Sequence, residues 1–485
     1  MKILFLIPLR FTERFSIASN LIIAYLSAPS LTFAQLASYI PDEETKIIDG
    51  LVENISPEEF LDRLKGVDIV VISIRSSYAS RDCEINIRLI KEHYPRIKII
   101  MGGYHATFFY ERWLKLGADF ILLHEGELYF GELIKHLKQG EDYRNTKNLA
   151  YKDNGRVIVN ALGPMIDNLD LTPLPRFDLI NFKNYFSFFP GSSNAYTGSM
   201  ELSRGCPYRC DFCLTSRYWN FTYRRKSNQR ILQELQILAG MNIKKIWFYT
   251  ASFGILPAKD YALCELIERS GLKISWKVPV RMDTVLKFPD LIKKSAAAGM
   301  KLALIGFESS GNEALTAPGK TKGPLYNHAN FKKAYHILRR NNILVEGSFI
   351  IGYPGELEEE SMSLKKINQL CDFVTIQVYR PNVALLPEIL SKGPENKDYK
   401  RLFYFSPHSS DDVNVKQALK KKKKILYKYY LHPFYIYLRF FSGRTLLRRL
   451  YLYFYAHIIK NIFKKAIFVI TRREARRHRY LIRDL

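Results

Sequence analysis

Residues 203–213 read SRGCPYRCDFC, and the cysteine spacing in this segment is the most informative pattern in the chain. It holds Cys206, Cys210 and Cys213 in a CxxxCxxC spacing directly after a predicted strand. Thiolates are the usual ligands of iron–sulfur clusters, and three of them on a four-iron cubane leave one iron open to a small molecule. A structural zinc site would need a fourth protein ligand, and the neighbouring sequence offers neither a CxxC pair nor a His pair to supply it. The spacing therefore predicts a 4Fe-4S cluster with an open, catalytic iron.

Downstream of this motif, short apolar runs alternate with helical patterns. Six such units predict a partial (β/α)6 TIM-like barrel, whose chemistry lies on the loops at the carboxyl ends of its strands. We expect strands at 198–203, 243–249, 273–279, 301–306, 344–351 and 372–378, and helices at 226–240, 258–270, 286–298, 325–341 and 356–370.

A second alternating series precedes the motif. It predicts an α/β, doubly wound, Rossmann-like domain of five parallel strands, with its ligand crevice at their carboxyl ends. The expected strands are 3–8, 45–49, 68–74, 97–101 and 119–123, and the expected helices are 31–40, 57–64, 83–94, 108–117 and 126–138. We therefore divide the chain into a Rossmann-like domain (1–140), a connector (141–192), the barrel (193–395) and a basic, aromatic, helical carboxyl-terminal region (396–485).

Composition narrows the class of protein. With 485 residues and 47% hydrophobic content, the chain can bury two or three packed cores. Six cysteines, three of them within eight residues, do not form a secreted disulfide framework, which indicates a reducing compartment and predicts a cytoplasmic protein. No run of eighteen uncharged apolar residues predicts a membrane-spanning helix.

The cysteine motif, with the aromatic Phe212 before its last cysteine and a six-unit barrel around it, resembles the radical S-adenosylmethionine (SAM) superfamily. The resemblance implies that the amino and carboxylate groups of SAM chelate the open iron. It also implies that one electron, from a donor such as flavodoxin or ferredoxin, splits the sulfonium to give a 5′-deoxyadenosyl radical. Such cofactors carry the difficult chemistry, and the protein orients them.

Further segments resemble cofactor-contacting segments of the same family. Residues 305–309 read IGFES, which places Glu308 and Ser309 near the ribose and methionyl part of SAM. The segment 276–281 ends in Arg281, which would pair with the SAM carboxylate. Gly352 opens the segment GYPGE, similar to the one that approaches the adenine. A surface acid, a solvated cation and a turn glycine are the alternative interpretations of these residues.

The chain departs from the family after the second barrel strand. Many relatives carry acidic residues there, whereas residues 247–253 read WFYTASF. Either the hydroxyls of Thr250 and Ser252 take over the polar contacts, or the cofactor contacts differ at this strand.

The amino-terminal domain resembles the cobalamin-binding domain found upstream of many such barrels. The resemblance rests on the loop Gly102, Gly103, Tyr104 and His105, and on Glu125-Gly126 after the next strand. Glycines at such turns let the backbone approach a macrocycle or nucleotide tail closely. No DxHxxG motif occurs, so no protein histidine is placed to ligate cobalt, and a generic doubly wound domain is the competing interpretation.

The net charge of +26 is concentrated at the carboxyl terminus. From residue 416 to 485 there are 20 Lys and Arg against 2 acids, so 20 − 2 = +18, including five lysines at 420–424, with Tyr and Phe interspersed. This mixture is typical of a membrane interface with anionic lipid, and equally of a nucleic-acid backbone. A helix packed on the barrel with a solvated basic face is the third alternative. The membrane is preferred, because the aromatic residues are dense.

The sequence as a whole predicts cobalamin-dependent methyl transfer to an unactivated carbon of an apolar or lipid-like small molecule, at the inner face of the membrane if the tail binds lipid. A radical cyclase or carbon–carbon bond-forming enzyme with the same cofactors is the first alternative. A nucleic-acid-binding or RNA-modifying protein that uses the basic tail is the second. RNA-methylthiolating relatives carry a second cysteine trio in the amino-terminal domain, whereas only Cys83 lies there.

Overall fold

The computed structural model describes residues 1–9, 28–53, 55–74, 79–185, 196–210, 213–308, 325–352, 369–379 and 413–431, with a few single positions at 367, 391, 393, 395 and 396. Two parallel sheets dominate the described residues, as the sequence predicts. One sheet lies in the amino-terminal third of the chain, and the other follows the connector.

The amino-terminal sheet is doubly wound. Its order is β2-β1-β3-β4-β5-β6-β7, and β1 to β5 are parallel. The strands are β1 (Lys2–Ile7), β2 (Glu44–Asp49), β3 (Ile69–Ser73), β4 (Lys98–Gly102), β5 (Phe120–Leu122), β6 (Leu149–Asp153) and β7 (Arg156–Val159). The helices are α1 (Leu31–Ala37), α2 (Pro57–Arg63), α3 (Ser80–His93), α4 (Tyr104–Phe108), α5 (Tyr110–Lys115) and α6 (Glu127–Gln139).

Local sequence explains where these elements begin and end. The helix α2 begins with Pro57 at its first position, and Ser56 caps it by accepting a hydrogen bond from the backbone N–H of Glu59. The strands β1, β3 and β4 are almost continuously buried, because helices cover both faces of the sheet.

The prediction of five strands was wrong, because the predicted connector begins with a hairpin. The strands β6 and β7 add to the sheet antiparallel, β6 to β5 and β7 to β6. They are joined at Asn154 and Gly155, which both have positive φ (48° and 80°). Asn-Gly is the residue pair that a two-residue hairpin turn favours. Every residue of β7 is exposed, so it carries none of the apolar alternation by which strands are recognised.

The second sheet forms the predicted partial barrel. Six parallel strands follow one another in chain order from β8 to β15. They are β8 (Thr197–Glu201), β11 (Lys245–Tyr249), β12 (Ser275–Pro279), β13 (Met300–Glu308), β14 (Leu344–Ile351) and β15 (Phe373–Val378). The helices around them are α7 (Leu214–Tyr218), α8 (Asn228–Gly240), α9 (Pro257–Arg269), α10 (Met282–Lys287), α11 (Pro289–Ala297) and α12 (His328–Arg340), and two short strands, β9 (Ser203–Gly205) and β10 (Tyr223–Arg225), pair beside β8.

A last helix, α13 (Val413–Leu431), packs against β15 of the barrel. Ala418, Ile425 and Tyr429 are buried in the barrel core, and the Tyr429 hydroxyl donates to the Cys371 carbonyl (3.3 Å). Tyr427 is exposed, as are several lysines of the run at 420–424. This part of the tail is therefore a helix packed on the barrel with a basic face in water, which is the third of the alternatives for the tail. Residues 432–485 lie outside the described residues.

No helix in the described part of the chain combines the length and apolar character needed to cross a membrane.

Candidate active site

The three cysteines of the motif lie on a loop framed by β9 and β10. Gly205 ends β9 with φ of 81°, and a Cβ at this position would lie 2.1 Å from the carbonyl oxygen of Thr222. Only glycine therefore fits immediately before Cys206. The backbone N–H of Cys213 donates to the Cys210 carbonyl (3.1 Å), so the last two cysteines lie close together.

All three thiols suit a cluster with an open iron. Each cysteine is partly exposed and none forms a disulfide, whereas Cys83, Cys264 and Cys371 are buried. Over the described residues, no group of three His, Cys, Asp or Glu side chains surrounds a point as it would a single metal ion. A cubane does not need such a group, because each cysteine binds a different iron. Phe212 lies outside the described residues, so its contact with the cofactor stays a prediction.

Arg281 brings the end of the third barrel strand to the cysteine loop. Arg281 is the residue immediately before α10. Its guanidinium lies 4.0 Å from the ring centroid of Tyr208. Asp283 holds the same guanidinium through two hydrogen bonds (2.9 and 3.1 Å). Arg281 therefore sits beside the cluster loop, where the sequence predicts a partner for the SAM carboxylate.

The hydroxyls of Thr250 and Ser252 join neighbouring strand ends. Thr250 Oγ1 lies 2.6 Å from Ser203 Oγ, which links the end of β11 to β9. Ser252 is buried, and its Oγ accepts from the backbone N–H of Arg281 (3.2 Å). Both residues lie at carboxyl ends of strands as predicted, but these bonds are to protein groups. A direct contact of either hydroxyl with SAM stays a prediction.

Glu308 ends β13 in a left-handed backbone conformation, with φ of 63°. The pairing of β13 with β14 shifts register between Gly306 and Glu308, so a bulge re-aims the end of the strand. Positive φ at a non-glycine residue costs free energy and is concentrated at functional sites. This geometry agrees with the predicted role of Glu308, while Ser309 lies outside the described residues.

Gly352 follows β14 with φ of 85°. A Cβ at this position would lie 3.1 Å from the Cβ of Ala418 on α13. The glycine therefore lets the carboxyl-terminal helix approach the end of the strand, a packing role that the sequence did not indicate. Its predicted approach to adenine stays a prediction.

In the amino-terminal domain, Gly102 at the end of β4 and the following Gly103 form an open edge. Gly103 has φ of 95°, and a Cβ there would lie 2.7 Å from the carbonyl oxygen of Ile74. A Cβ on Gly102 would have only the Leu122 carbonyl oxygen nearby, at 3.6 Å. Gly126 begins α6 against the Leu122 side chain. The turn is thus tight on one side and open on the other, which suits the close approach of a large planar ligand.

The two histidines of this edge bind other protein groups. His105 is buried, its Nδ1 accepts from Trp113 Nε1 (3.1 Å), and its ring packs on Phe109. The predicted contact of His105 with the cofactor stays a prediction. His124 Nδ1 lies 3.1 Å from the Tyr218 carbonyl, and burial lowers its pKa. That no protein histidine ligates cobalt also stays a prediction.

Glu125 also has a role that differs from the predicted one. One of its oxygens binds Arg204 (2.5 Å), and the other binds Arg224 and the backbone N–H of Ile166 (both 2.8 Å). Arg204 pairs in addition with Glu127 (2.7 Å), whose pKa is raised by burial. Since Arg204 and Arg224 come from β9 and β10, this buried cluster joins the two sheets at the base of the cysteine loop. Glu125 thus has a structural role that the sequence did not indicate, and its predicted contact with the cofactor stays a prediction.

An aromatic group completes the junction. The Tyr104 and Tyr218 rings meet edge to face, 4.1 Å apart, and Trp219 Nε1 donates to the Tyr104 hydroxyl (3.2 Å). The Tyr218 hydroxyl donates to the His124 carbonyl (2.5 Å). Tyr218 ends α7, which follows Cys213 directly. The predicted cobalamin edge, 102–105 and 125–126, is therefore fixed, through Tyr104 and the neighbouring His124, against the segment that follows the cluster ligands.

Comparison with known proteins gives two family matches. Residues 21–134 match the B12 binding domain, and residues 200–367 match the Radical SAM superfamily. An uncharacterized methyltransferase of Pyrococcus horikoshii is 30% identical over 340 residues, which covers 69% of this chain and 72% of that protein. The anaerobic magnesium-protoporphyrin IX monomethyl ester cyclase of Cereibacter sphaeroides is 26% identical over 321 residues, which covers 64% of this chain but only 51% of the cyclase.

Solved structures show the same fold. The radical SAM methyltransferase TsrM from Kitasatospora setae, with cobalamin and a 4Fe-4S cluster bound, aligns with a TM-score of 0.62 at 14% identity and covers 80% of this chain and 78% of TsrM. The cobalamin-dependent SAM radical enzyme OxsB aligns with a TM-score of 0.61 at 18% identity and covers 94% of this chain and 70% of OxsB.

These matches agree with the geometry of the site. The family assigns a 4Fe-4S cluster and SAM to the barrel, where the cysteine loop fits a cluster, and cobalamin to the first domain, where the glycine edge fits a macrocycle. The chain therefore belongs to the radical SAM superfamily, as an enzyme of the methyltransferase-like group in which a cobalamin-binding domain precedes the barrel.

Proposed function

We propose that this enzyme transfers a methyl group to an unactivated carbon of a small organic substrate. The observation that carries the proposal is the contact of Tyr104 with Tyr218 and Trp219, which fixes the cobalamin edge beside the cysteine loop. When bound, SAM at the cluster supplies a hydrogen-abstracting radical, and cobalamin supplies the methyl group. Two such cofactors can act on one carbon only if they border the same space.

The protein's own residues would bind and orient these groups. The cysteine trio would hold the cluster, and Arg281, fixed by Asp283, would present a cation beside it. The buried ion pairs of Glu125 with Arg204 and Arg224 would keep the two domains in register. Preorganisation of this kind lowers the cost of aligning the reacting groups.

Product analysis tests the proposal. The full-length chain, reconstituted anaerobically with cluster and cobalamin, is supplied with SAM, a reductant and a small-molecule extract of the native organism. Methyl transfer predicts both 5′-deoxyadenosine and S-adenosylhomocysteine, and a product about 14 Da heavier than its substrate. Formation of neither nucleoside in any extract would count against the proposal.

A second candidate is ring closure, favoured by the similarity to magnesium-protoporphyrin cyclases. Such a reaction would form 5′-deoxyadenosine without S-adenosylhomocysteine, so the same assay separates the two.

We further propose an apolar or lipid-like substrate and a tail that binds the membrane. A relative named hopanoid C-3 methylase, from Methylococcus capsulatus, supports the first part, at 27% identity over 46% of this chain. The charge of residues 432–485 supports the second, at roughly 1 kcal/mol per basic residue near anionic lipid. Removal of 432–485 should abolish binding to anionic liposomes, and displacement from them by RNA would favour a nucleic-acid partner instead.

A further inference from the structure

The interior of the barrel contains a buried charged side chain, Lys277, that is not one of the predicted site residues. Side chains alternate along a strand, so the neighbours of a residue show which face it occupies. On β12, Trp276 and Val278 pack in the core between the sheet and its helices. Lys277, between them, therefore faces the interior of the barrel, and its ammonium lies 3.3 Å from the ring centroid of Trp247 on β11.

Glu346 on β14 faces the same interior. Its neighbour Val345 packs in the core with the helices, as Phe349 does further along the strand. Glu346 Oε1 accepts from the Thr375 hydroxyl (2.7 Å) on β15. Four strands thus contribute side chains to one polar layer inside the barrel.

The polar layer is buried, and the barrel interior becomes more exposed from this layer toward the carboxyl ends of the strands. Lys277 and Glu346 are both only 2% exposed. Along β14 and β15 the inward positions become more exposed toward the carboxyl ends, from Glu346 to Ser348 and from Thr375 to Gln377. The interior therefore opens at the end that carries the cysteine loop, and Lys277 lies at its floor.

The layer is unsatisfied within the described residues. Lys277 Nζ and Glu346 Oε2 are both buried without a hydrogen-bond partner. A buried polar atom left unpaired costs about 1–3 kcal/mol, and more when it is charged. A bound ligand that supplies the missing hydrogen bond would remove this cost.

Lys277 is the cation of this layer whose ammonium lacks a hydrogen-bond partner within the described residues, so it is the group that an anion would bind. Lys245 lies two residues before Trp247 on the same face of β11 and is also buried. Burial lowers the pKa of Lys277 to about 8, and the nearby Glu346 opposes that shift. The register partners of Lys277, Trp247 and Leu302, are not ionisable, nor are Thr375 and Ser199 on the outer strands. One layer nearer the carboxyl ends, the same face carries the ionisable Tyr249 and its register partner Glu201, which binds Arg204.

The position separates this layer from the predicted SAM contacts. Lys277 precedes Arg281 by four residues of extended backbone, which places it about 13 Å further into the barrel. Glu346 precedes Gly352 by six residues, a distance of about 20 Å along the chain.

We propose that the floor of the barrel binds an anionic group of the substrate, a carboxylate or a phosphate, through Lys277. The apolar body of the substrate would then lie against Trp247 and Tyr249, whose rings stack 5.6 Å apart, and point its reacting carbon toward the cysteine loop. This inference rests on the proposed function only in taking the barrel interior as the substrate site.

Calorimetric titration of the reconstituted full-length holoenzyme tests the proposal, with butyrate and inorganic phosphate as probes and n-butanol as the uncharged control. At least one anion should bind, and butanol should bind at least tenfold more weakly than butyrate if the carboxylate is the group recognised. Binding of only one anion identifies the group. Failure of both to bind would overturn the proposal.

Two variants should change the affinity in opposite directions. Lys277→Met should weaken anion binding at least tenfold, whereas Lys273→Met, an exposed lysine just before the same strand, should change it less than twofold. Glu346→Gln should strengthen binding several-fold, because it removes a negative charge from the floor. Equal affinity in Lys277→Met, or weaker binding in Glu346→Gln, would refute the assignment, and the second result decides even if Lys277→Met does not fold.

A proton balance separates binding at Lys277 from a structural role. Burial lowers the pKa of Lys277 to about 8, and a bound anion raises the pKa of an amine. Anion binding should therefore be accompanied by proton uptake in the pH range where Lys277 titrates, measured in buffers of different ionisation enthalpy at a series of pH values on both sides of 8, and the uptake should vanish in Lys277→Met. Absence of uptake at every pH in the unaltered chain would contradict the proposal. Formation of 5′-deoxyadenosine is measured in parallel, because its absence would count against the proposed function and not against the anion site.

Discussion

Gly205 shows how strictly single residues define the cluster loop. An alanine there would combine positive φ, which costs roughly 1–3 kcal/mol, with a Cβ only 2.1 Å from the Thr222 carbonyl oxygen. We expect Gly205→Ala to hold far fewer than the about four irons of a full cluster. Gly240, at the end of α8, has no atom near its Cβ position, so Gly240→Ala is the matched control. Iron analysis after anaerobic reconstitution measures both, and a full cluster in Gly205→Ala would disprove this account of the loop.

At the junction between the domains, a single carboxylate, that of Glu125, is equally decisive. Glu125→Gln would leave the guanidinium of Arg224 without a carboxylate partner among the described residues, whereas Arg204 would keep Glu127 and Glu201. Breaking a buried pair in this way costs about 3–5 kcal/mol, because the charge of Arg224 stays buried and uncompensated. Glu132→Gln, on the exposed face of α6, should cost less than about 0.5 kcal/mol. Urea unfolding of the two variants checks the difference in their free energies of unfolding. Equal stabilities would show that the ion pairs of Glu125 do not stabilise the junction between the domains.

Among the elements, the carboxyl-terminal helix α13 gives the sharpest test. Tyr429 is 1% exposed in the barrel core, whereas Tyr427, two residues away, is 59% exposed. Tyr429→Ala should destabilise the barrel by about 3 kcal/mol through the cavity it leaves. Tyr427→Ala should be nearly neutral. Thermal unfolding compares the two, and similar losses would mean that α13 does not pack as described.

Periodicity predicted most elements because most of them are buried on at least one face. The parallel strands β1 to β5 and the six barrel strands were predicted to within a few residues, since their apolar runs face covering helices. The hairpin β6-β7 was missed, because β7 is exposed throughout and only the Asn154-Gly155 pair marks the turn. Strand ends also place Arg281 and Glu308 at the carboxyl edge of the barrel, while their contacts with SAM stay predictions. No local pattern shows that Glu125 pairs with arginines 79 and 99 residues away.

At the scale of the whole molecule, the contacts between the domains carry the functional argument. Tyr104 and His124 of the first domain contact Tyr218 and Trp219, which follow the cysteine loop. Sequence alone could assign a cofactor to each domain but could not show that the two cofactor edges adjoin, because the contacting residues lie more than 90 positions apart.

If cobalamin and the cluster border one shared space, electron paramagnetic resonance should detect the magnetic coupling between them. In the full-length chain loaded with cob(II)alamin, the cobalt signal should relax markedly faster when the cluster is reduced than when it is oxidised, because two paramagnetic centres close together couple magnetically. The enhancement should disappear in Cys210→Ala, which cannot hold the cluster, and persist in Cys371→Ala, whose thiol is buried in the barrel core. Cobalt relaxation that does not respond to the redox state of a demonstrably full cluster would contradict the shared site.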